Sequence, residues 1–354
     1  MRPALLLALL VAGPPLLHAV DWATVPGGRE APLKVPSTGR PGFQAMAPAA
    51  MGIDFTNSLS PQRAQLFQNL LNGSGLAAAD VDGDGRVDVY LCHKQAPNQL
   101  YRNLGGGRFT NITEYARVGC TNQTSVGAVF GDLNGDGAPD LIVTAFGGPN
   151  TVLINDGQGR FTDRTADSGI AGKSGNTSAA LADVDGDGDL DLYLCNFGTQ
   201  AILRDGGVIT TRMVNGRPQV TGRHANRLRI IDGMLYENGE PDTLFLNDGQ
   251  GRFTAVPWEK AFLDAEGRPM APPWDFGLAV QIRDVNGDGF PDIYVCNDFQ
   301  TPDRLWLGNG RGQFRDAAET AFRNMSYASM GVDFADLDRD GRYDFITVEM
   351  LSEN

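Results

Sequence analysis

Histidine is nearly missing from this chain: its 354 residues hold only His18, His93 and His224. Neither Gly-x-Ser-x-Gly nor His-Glu-x-x-His occurs, so the common serine-hydrolase and zinc-protease constellations have nothing to build on. Long apolar runs are also lacking. The best one, residues 5–12 with Leu16-Leu17, is broken by Pro14-Pro15 and is too short to span a bilayer, and no other stretch approaches the length required. With Arg2 before it and Ala19 after it, that run reads as a secretory signal over residues 1–19. No cysteine follows, so a bacterial lipid anchor has no attachment point. Basic residues are outnumbered, 29 Lys and Arg against 43 Asp and Glu for a formal charge of −14, which makes nucleic acid a poor partner.

What is present in abundance is one acidic nonapeptide, repeated five times at residues 80–88, 132–140, 183–191, 284–292 and 336–344. Each copy places side-chain oxygens at positions 1, 3, 5 and 9 around a glycine-rich turn, the way a chain wraps a hard cation such as calcium. The opening Asp-x-Asp-x-Asp-Gly pattern is shared with EF-hands, but an EF-hand closes with a bidentate Glu at position 12. Here position 12 is Leu91, Val143, Leu194, Val295 or Thr347, none a strong ligand. The runs that follow, such as residues 87–92 and 190–195, are short and rich in β-formers, so the loops join strands.

Successive loops start 52, 51, 101 and 52 residues apart. A period near 50 with several short strands per unit predicts a β-propeller or similar array. The second unit gives the pattern: strands at 126–130, 140–145 and 150–155, the turn Asp156-Gly-Gln-Gly, then a strand from Phe161. That turn recurs after Asn103, Asn247 and Gly308, and the expected blade has four antiparallel strands. The doubled gap reads as an insertion at about residues 198–241, with a hairpin over 208–220 on Asn215-Gly216. It carries six Arg against four acids and is either a solvated decoration or a partner-binding loop. Residues 43–53 resemble the tail of a unit, such as 161–170, while the last blade, ending at 344–349, lacks its third strand and turn. The expected domains are therefore the signal, an extended linker over 20–42 and an all-β propeller of four-stranded blades over 43–354, incomplete by truncation. Residues 60–73 read as a capped helix packing Leu66, Phe67, Leu70 and Leu71 on the propeller.

Export and acidic loops support each other. Calcium sites with dissociation constants of roughly 10⁻⁴ to 10⁻³ M fill only where calcium is millimolar, as outside cells. Cys92, Cys195 and Cys296 share one position in three units and Cys120 lies in a connection, which favours free buried thiols over cross-blade disulfides. Five bound Ca²⁺ would take the formal charge from −14 to −4.

These residues resemble the FG-GAP (VCBS) repeats of integrin α-subunit propellers and, more closely, secreted proteins of the cartilage acidic protein group, many of which end in an ASPIC/UnbV region. The stretches carrying the resemblance are 277–306, Met330-Gly-Val-Asp-Phe-Ala-Asp336 and the interrupted unit ending at 239–245; it covers about residues 43–349. No ASPIC/UnbV segment is seen, so a C-terminal domain is expected to be missing. The resemblance implies a calcium-bound extracellular propeller used in adhesion or recognition, secreted or, in a bacterium, periplasmic or at the cell surface.

The expected calcium ligands are the side chains at positions 1, 3, 5 and 9 with the carbonyl of position 7. In the first loop these are Asp80, Asp82, Asp84, Arg86 and Asp88; in the second, Asp132, Asn134, Asp136, Ala138 and Asp140. In the third they are Asp183, Asp185, Asp187, Asp189 and Asp191; in the fourth, Asp284, Asn286, Asp288, Phe290 and Asp292. The fifth offers Asp336, Asp338, Asp340, Arg342 and Asp344, with Arg339 replacing the usual glycine at position 4. Asn134 and Asn286 should weaken their sites, and a metal-free Asx-turn scaffold is the bland alternative.

Two functions compete with a non-enzymatic module binding an extracellular protein or glycan. One is a calcium-dependent polysaccharide lyase or hydrolase; the other is a purely structural segment of a larger secreted protein. For the enzyme, His93, Asp298 and Glu349 are the acid–base candidates, against a polar end-cap for His93, a solvated His224 and turn chemistry for Asp298. Asn111-Ile-Thr is a glycosylation triplet in a host that uses it.

Overall fold

The protein is seen here as a computed structural model that describes residues 23–25, 28–30, 45–66, 68–170, 172–199, 202–205, 208–298, 301–326 and 328–350. The expected signal segment, 1–19, lies outside them. The chain divides into two compact units, Met1–Met46 and Ala47–Asn354. In the first, Ala23–Val25 pairs antiparallel with Gly28–Glu30, so the stretch read as an extended linker contains a short hairpin.

The second unit is built on a run of five sheets, antiparallel but for one added strand, with the insertion's hairpins beside them. Sheet one holds Leu76–Ala79, Asp88–Leu91, Gln99–Gly105 and Arg108–Asn111, and sheet two holds Ser125–Gly131, Asp140–Ala145, Thr151–Asn155 and Phe161–Asp163. Sheet three is Asn176–Ala182, Asp191–Asn196, Thr243–Asn247 and Phe253–Ala255. Sheet four is Gly277–Arg283, Asp292–Asn297, Arg304–Gly308 and Phe314–Asp316, with Phe262–Leu263 added parallel to its fourth strand. Sheet five has two strands, Ser329–Ala335 and Asp344–Glu349. First strands contact one another in chain order, and no closed ring forms among the described residues. In sheets two, three and four the second strand is buried at every position. Its side chains therefore read as a continuous apolar run rather than an alternation.

Apolar clusters between neighbouring sheets hold the array together. Between sheets three and four lies an aromatic one, in which Trp258 and Phe262 stack with ring centroids 3.9 Å apart and Trp306, Phe314 and Tyr193 close around them. Burying one such ring contributes roughly 1.5–3 kcal/mol. Sheet two also reaches sheet three through a tail after its fourth strand. Gly169 has φ +80° and lies so close to sheet three that an added Cβ would stand 2.1 Å from the Phe253 carbonyl oxygen. Gly52 repeats this against Phe109, at φ +81° and 2.3 Å. Residues 47–53, with the short helix Pro48–Met51, thus pack on sheet one as a preceding unit's tail would, in line with the sequence reading.

The insertion leaves sheet three between its second and third strands. Thr210–Val214 and Arg217–Thr221 form the expected hairpin on Asn215-Gly216, both at positive φ. A second hairpin, Leu228–Ile231 with Met234–Glu237, was missed, although Asp232-Gly233 between apolar residues signals it. Ile202, Val220 and Leu228 give the insertion a small core of its own. The helix expected over 60–73 is broken: Pro61–Leu66 is α-helical and Gln68–Leu71 is a 3₁₀ turn. The Ser60 hydroxyl accepts from Arg63 N–H at 3.4 Å as the expected cap. Leu70 is buried, but Leu71 is 62% exposed, because the tighter 3₁₀ turn rotates it away from the sheets. The side chains of Leu66 and Phe67 lie outside the described residues.

Candidate metal centres

All five acidic loops fold the same way, and side-chain oxygens impose the shape. Position 1 takes the backbone N–H of position 6: Asp80, Asp132, Asp183, Asp284 and Asp336 accept from Gly85, Gly137, Gly188, Gly289 and Gly341 at 2.7–3.1 Å. Position 5 takes the N–H of position 7: Asp84, Asp136, Asp187, Asp288 and Asp340 accept from Arg86, Ala138, Asp189, Phe290 and Arg342 at 2.9–3.0 Å. Position 9 closes the loop: Asp88, Asp140, Asp191, Asp292 and Asp344 accept from Val81, Leu133, Val184, Val285 and Leu337 at 2.9–3.1 Å. Position 4 needs a left-handed backbone, which glycine adopts freely, and Arg339 is forced into it at φ 64°.

The ninth residue also ties the loop to its sheet. Asp88, Asp140, Asp191 and Asp292 use their second oxygen to accept from the third strand, at Asn103, Asn155, Asn247 and Gly308. Burial pushes Asp140 and Asp191 up to about 6, against the lowering by these backbone donors and with the neighbouring loop carboxylates adding to the rise. Asp88 and Asp292 shift upward for the same reasons.

Three loops gather three carboxylates with ligand oxygens within 4.8 Å of one another: Asp80, Asp82 and Asp88; Asp183, Asp185 and Asp191; and Asp336, Asp338 and Asp344. The fit to a calcium-like ion is best supported in loop one, where Asp82 Oδ1 is buried without any hydrogen-bond partner, a costly state for an anionic oxygen unless a cation meets it. In loops two and four, Asn134 and Asn286 donate from Nδ2 to Asp136 and Asp288, at 2.9 and 3.0 Å, which sets an internal hydrogen bond at position 3. Asp185 is shifted upward, by burial first and by Asp187 next.

Loops one, two and three are also junctions between sheets. The position-2 carbonyl of Val81 accepts from Asn155 Nδ2 of sheet two at 2.9 Å. Leu133 accepts from Asn247 Nδ2 and Gly251 N–H of sheet three, both at 2.9 Å. Val184 accepts from Gly312 N–H of sheet four at 2.8 Å. The Asn and glycine hairpins between third and fourth strands are therefore receptors for the preceding loop.

The acid–base candidates do not converge. His93 Nδ1 accepts from the N–H groups of Gln95 and Ala96 at 3.0 and 2.8 Å, while Nε2 meets the Thr56 carbonyl at 3.0 Å, which is the end-cap role. The carbonyl of Asp298, just after the second strand of sheet four, takes the Thr301 hydroxyl at 2.6 Å. Glu349 ends the last strand opposite Ser329, and the His224 carbonyl accepts the turn N–H groups of Arg227 and Leu228. Two features escaped the sequence reading. One is a cap before each third strand, made by Asn98, Asn150, Asp242 and Asp303. Beside the caps stand tyrosines repeated after the loops: Tyr193 donates to Asp242 at 2.8 Å and Tyr294 to Asp303 at 2.7 Å. The other is Arg102, whose Nη2 lies 2.5 Å from Asp82 and 3.3 Å from Asp84.

The repeated loop, the four-stranded sheet that carries it and the inter-sheet clamp define an FG-GAP-like repeat, and that family model matches residues 80–143, 132–194 and 284–347. The chain belongs to the FG-GAP-like repeat family. Among characterised proteins it is similar to cartilage acidic protein 1 of Mus musculus, 27% identical over 80% of this chain and 49% of the relative. It is also similar to the Homo sapiens protein of that name, at 26% over 80% and 48%. The chain spans about half the length of these relatives. Of solved structures, the lectin BP39L from Burkholderia pseudomallei aligns with TM-score 0.34 and 13% identity over 67% of this chain and 68% of that one. The V. cholerae biofilm matrix protein Bap1 aligns with TM-score 0.30 and 16% identity over 68% and 38%.

Proposed function

We propose that the chain is a secreted, calcium-binding propeller segment that serves as a non-enzymatic recognition or adhesion module for an extracellular protein or glycan. The observation that carries this reading is that acidic loops one, two and three sit where one sheet grips the next, so an ion bound there would neutralise crowded carboxylates and stiffen the array. Calcium would be held in each loop by positions 1, 3, 5 and 9, with the fullest carboxylate sets in loops one, three and five. A rigid array of sheets presents its turns and its insertion as a fixed surface, and it needs no general base. The similarity to cartilage acidic protein 1 supports an extracellular site of action.

The test is thermal unfolding of the chain without residues 1–19, in millimolar calcium and in chelator, repeated for Asp187→Ala. Calcium should raise the melting temperature, with about 1.4 kcal/mol for each site held at ten times its dissociation constant, and the variant should lose part of that gain. An unchanged melting temperature on chelation would remove the calcium reading. Binding of the calcium-loaded form to arrays of glycans and matrix proteins, with an assay for unsaturated sugar products, then decides between recognition and lyase activity.

A further inference from the structure

Loop one differs from the other four in carrying its own cation. Arg102 Nη2 reaches Asp82 at 2.5 Å and Asp84 at 3.3 Å, and Arg86 pairs with Asp84 while its Nε donates to the Asn103 carbonyl at 2.8 Å. Among the described residues no ion pair engages the carboxylates of loops two to five.

The residue responsible breaks the repeat. Arg102 stands one place before Asn103, where sheets two, three and four have Ile154, Leu246 and Leu307 before the equivalent Asn155, Asn247 and Gly308. Those three side chains pack into the apolar clusters between sheets. In sheet one the guanidinium turns to the loop instead, and the Asp82 side chain it meets is only 9% exposed. The guanidinium sits on Oδ2 of both Asp82 and Asp84, so a calcium ion that draws these two carboxylates around itself must compete with it for their charge and orientation. Loop three offers the matched contrast: Asp183, Asp185 and Asp191 gather the same three carboxylates with no arginine on them.

We propose that Arg102 is a tethered competitor that occupies the first acidic loop in calcium-poor conditions and makes it fill at higher calcium than the third. This rests on the calcium reading of the loops. The array then loads in order, and the loop that joins sheets one and two keeps its fold without metal because the arginine offsets the charge an ion would neutralise. Arg102 is a specificity-determining residue for the site, not a ligand.

The experiment is hydrogen exchange measured by mass spectrometry on the same chain while calcium chloride is titrated, with residues 80–88 and 183–191 followed separately. In the wild type the midpoint for 80–88 should lie about tenfold or more above that for 183–191. Arg102→Leu, which installs the residue type of the other sheets, should bring the two midpoints together and leave 183–191 where it was. Arg102→Gln is the second variant, keeping length and polarity should leucine impair folding, and Arg108→Leu controls for the loss of one nearby positive charge. Equal midpoints in the wild type, or an 80–88 midpoint that moves no more in the Arg102 variants than in Arg108→Leu, overturns the proposal. If neither loop responds to calcium in any chain, the calcium reading itself fails and the competitor has nothing to compete with.

Discussion

Arg339 is where the repeat asks a side chain to do what glycine does. Its φ of 64° matches the 70–81° of Gly83, Gly135, Gly186 and Gly287 at the same position of the other loops, and an L-residue in that region costs roughly 1–2 kcal/mol. The loop nonetheless keeps its hydrogen bonds, with Asp340 N–H on Asp336 at 3.0 Å and Gly341 N–H on the other Asp336 oxygen at 3.0 Å. Arginine at this position therefore brings backbone strain, and the loop's shape survives it. Arg339→Gly should raise stability by about 1 kcal/mol, less the extra entropy glycine gives the unfolded chain, and should tighten calcium at 336–344. Denaturant titration in calcium and in chelator measures both. A neutral or destabilising glycine would mean that the arginine side chain makes a compensating contact.

At the scale of strands, the cap before each third strand shows one task met by two chemistries. Asn98 accepts from His93 N–H at 2.7 Å and donates to Tyr90 at 2.7 Å, and Asn150 accepts from Ala145 N–H at 3.0 Å. Asp242 accepts from Asn196 N–H at 2.7 Å and from Tyr193, yet burial lifts its carboxyl to about 7, with the backbone donor and Tyr193 opposing the rise. The unfolded chain ionises this group from the ordinary value of 3.8, so between about 4 and 7 the folded state holds an extra proton. Its contribution to stability is thus fullest at low pH, falls as pH rises through that window and is flat above it. Asp242→Asn should imitate Asn98, with the amide donating to the Tyr193 oxygen, and melt several degrees higher than wild type at about pH 8. The gap should close toward pH 4; equal melting temperatures across the range would refute the burial argument. None of this was legible in the sequence. The loops and their strands were, because ligand spacing and apolar runs are properties of neighbouring residues. The caps and Arg102 depend on cross-strand register, which pairs Val89 with Tyr101 and Leu192 with Phe245 and which no local pattern specifies.

For the whole molecule, the question is how five sheets behave as one body. An array in which each unit touches only its neighbours has a stability set by the units and the interfaces between them. Here the interfaces contain both aromatic clusters, as at Trp258, Phe262 and Trp306, and the polar clamps from Asn155, Asn247 and Gly312 onto the preceding acidic loop. Carboxylates crowded at those clamps repel one another when bare, and a divalent ion reverses that sign. Calcium should therefore act on coupling more than on any one sheet. In urea with calcium the chain should unfold in a single transition by fluorescence and by circular dichroism. In chelator the same two probes should separate, because the tryptophans report mainly sheets three and four while dichroism reports all strands, and the apparent m-value should fall as cooperativity breaks down. Asn155→Ala leaves the Val81 carbonyl without its side-chain donor, at a cost of about 1–3 kcal/mol, and should split the transition even with calcium present. Coincident probes and an unchanged m-value in chelator would place the ions outside the load path between sheets and leave the apolar clusters as the sole source of coupling.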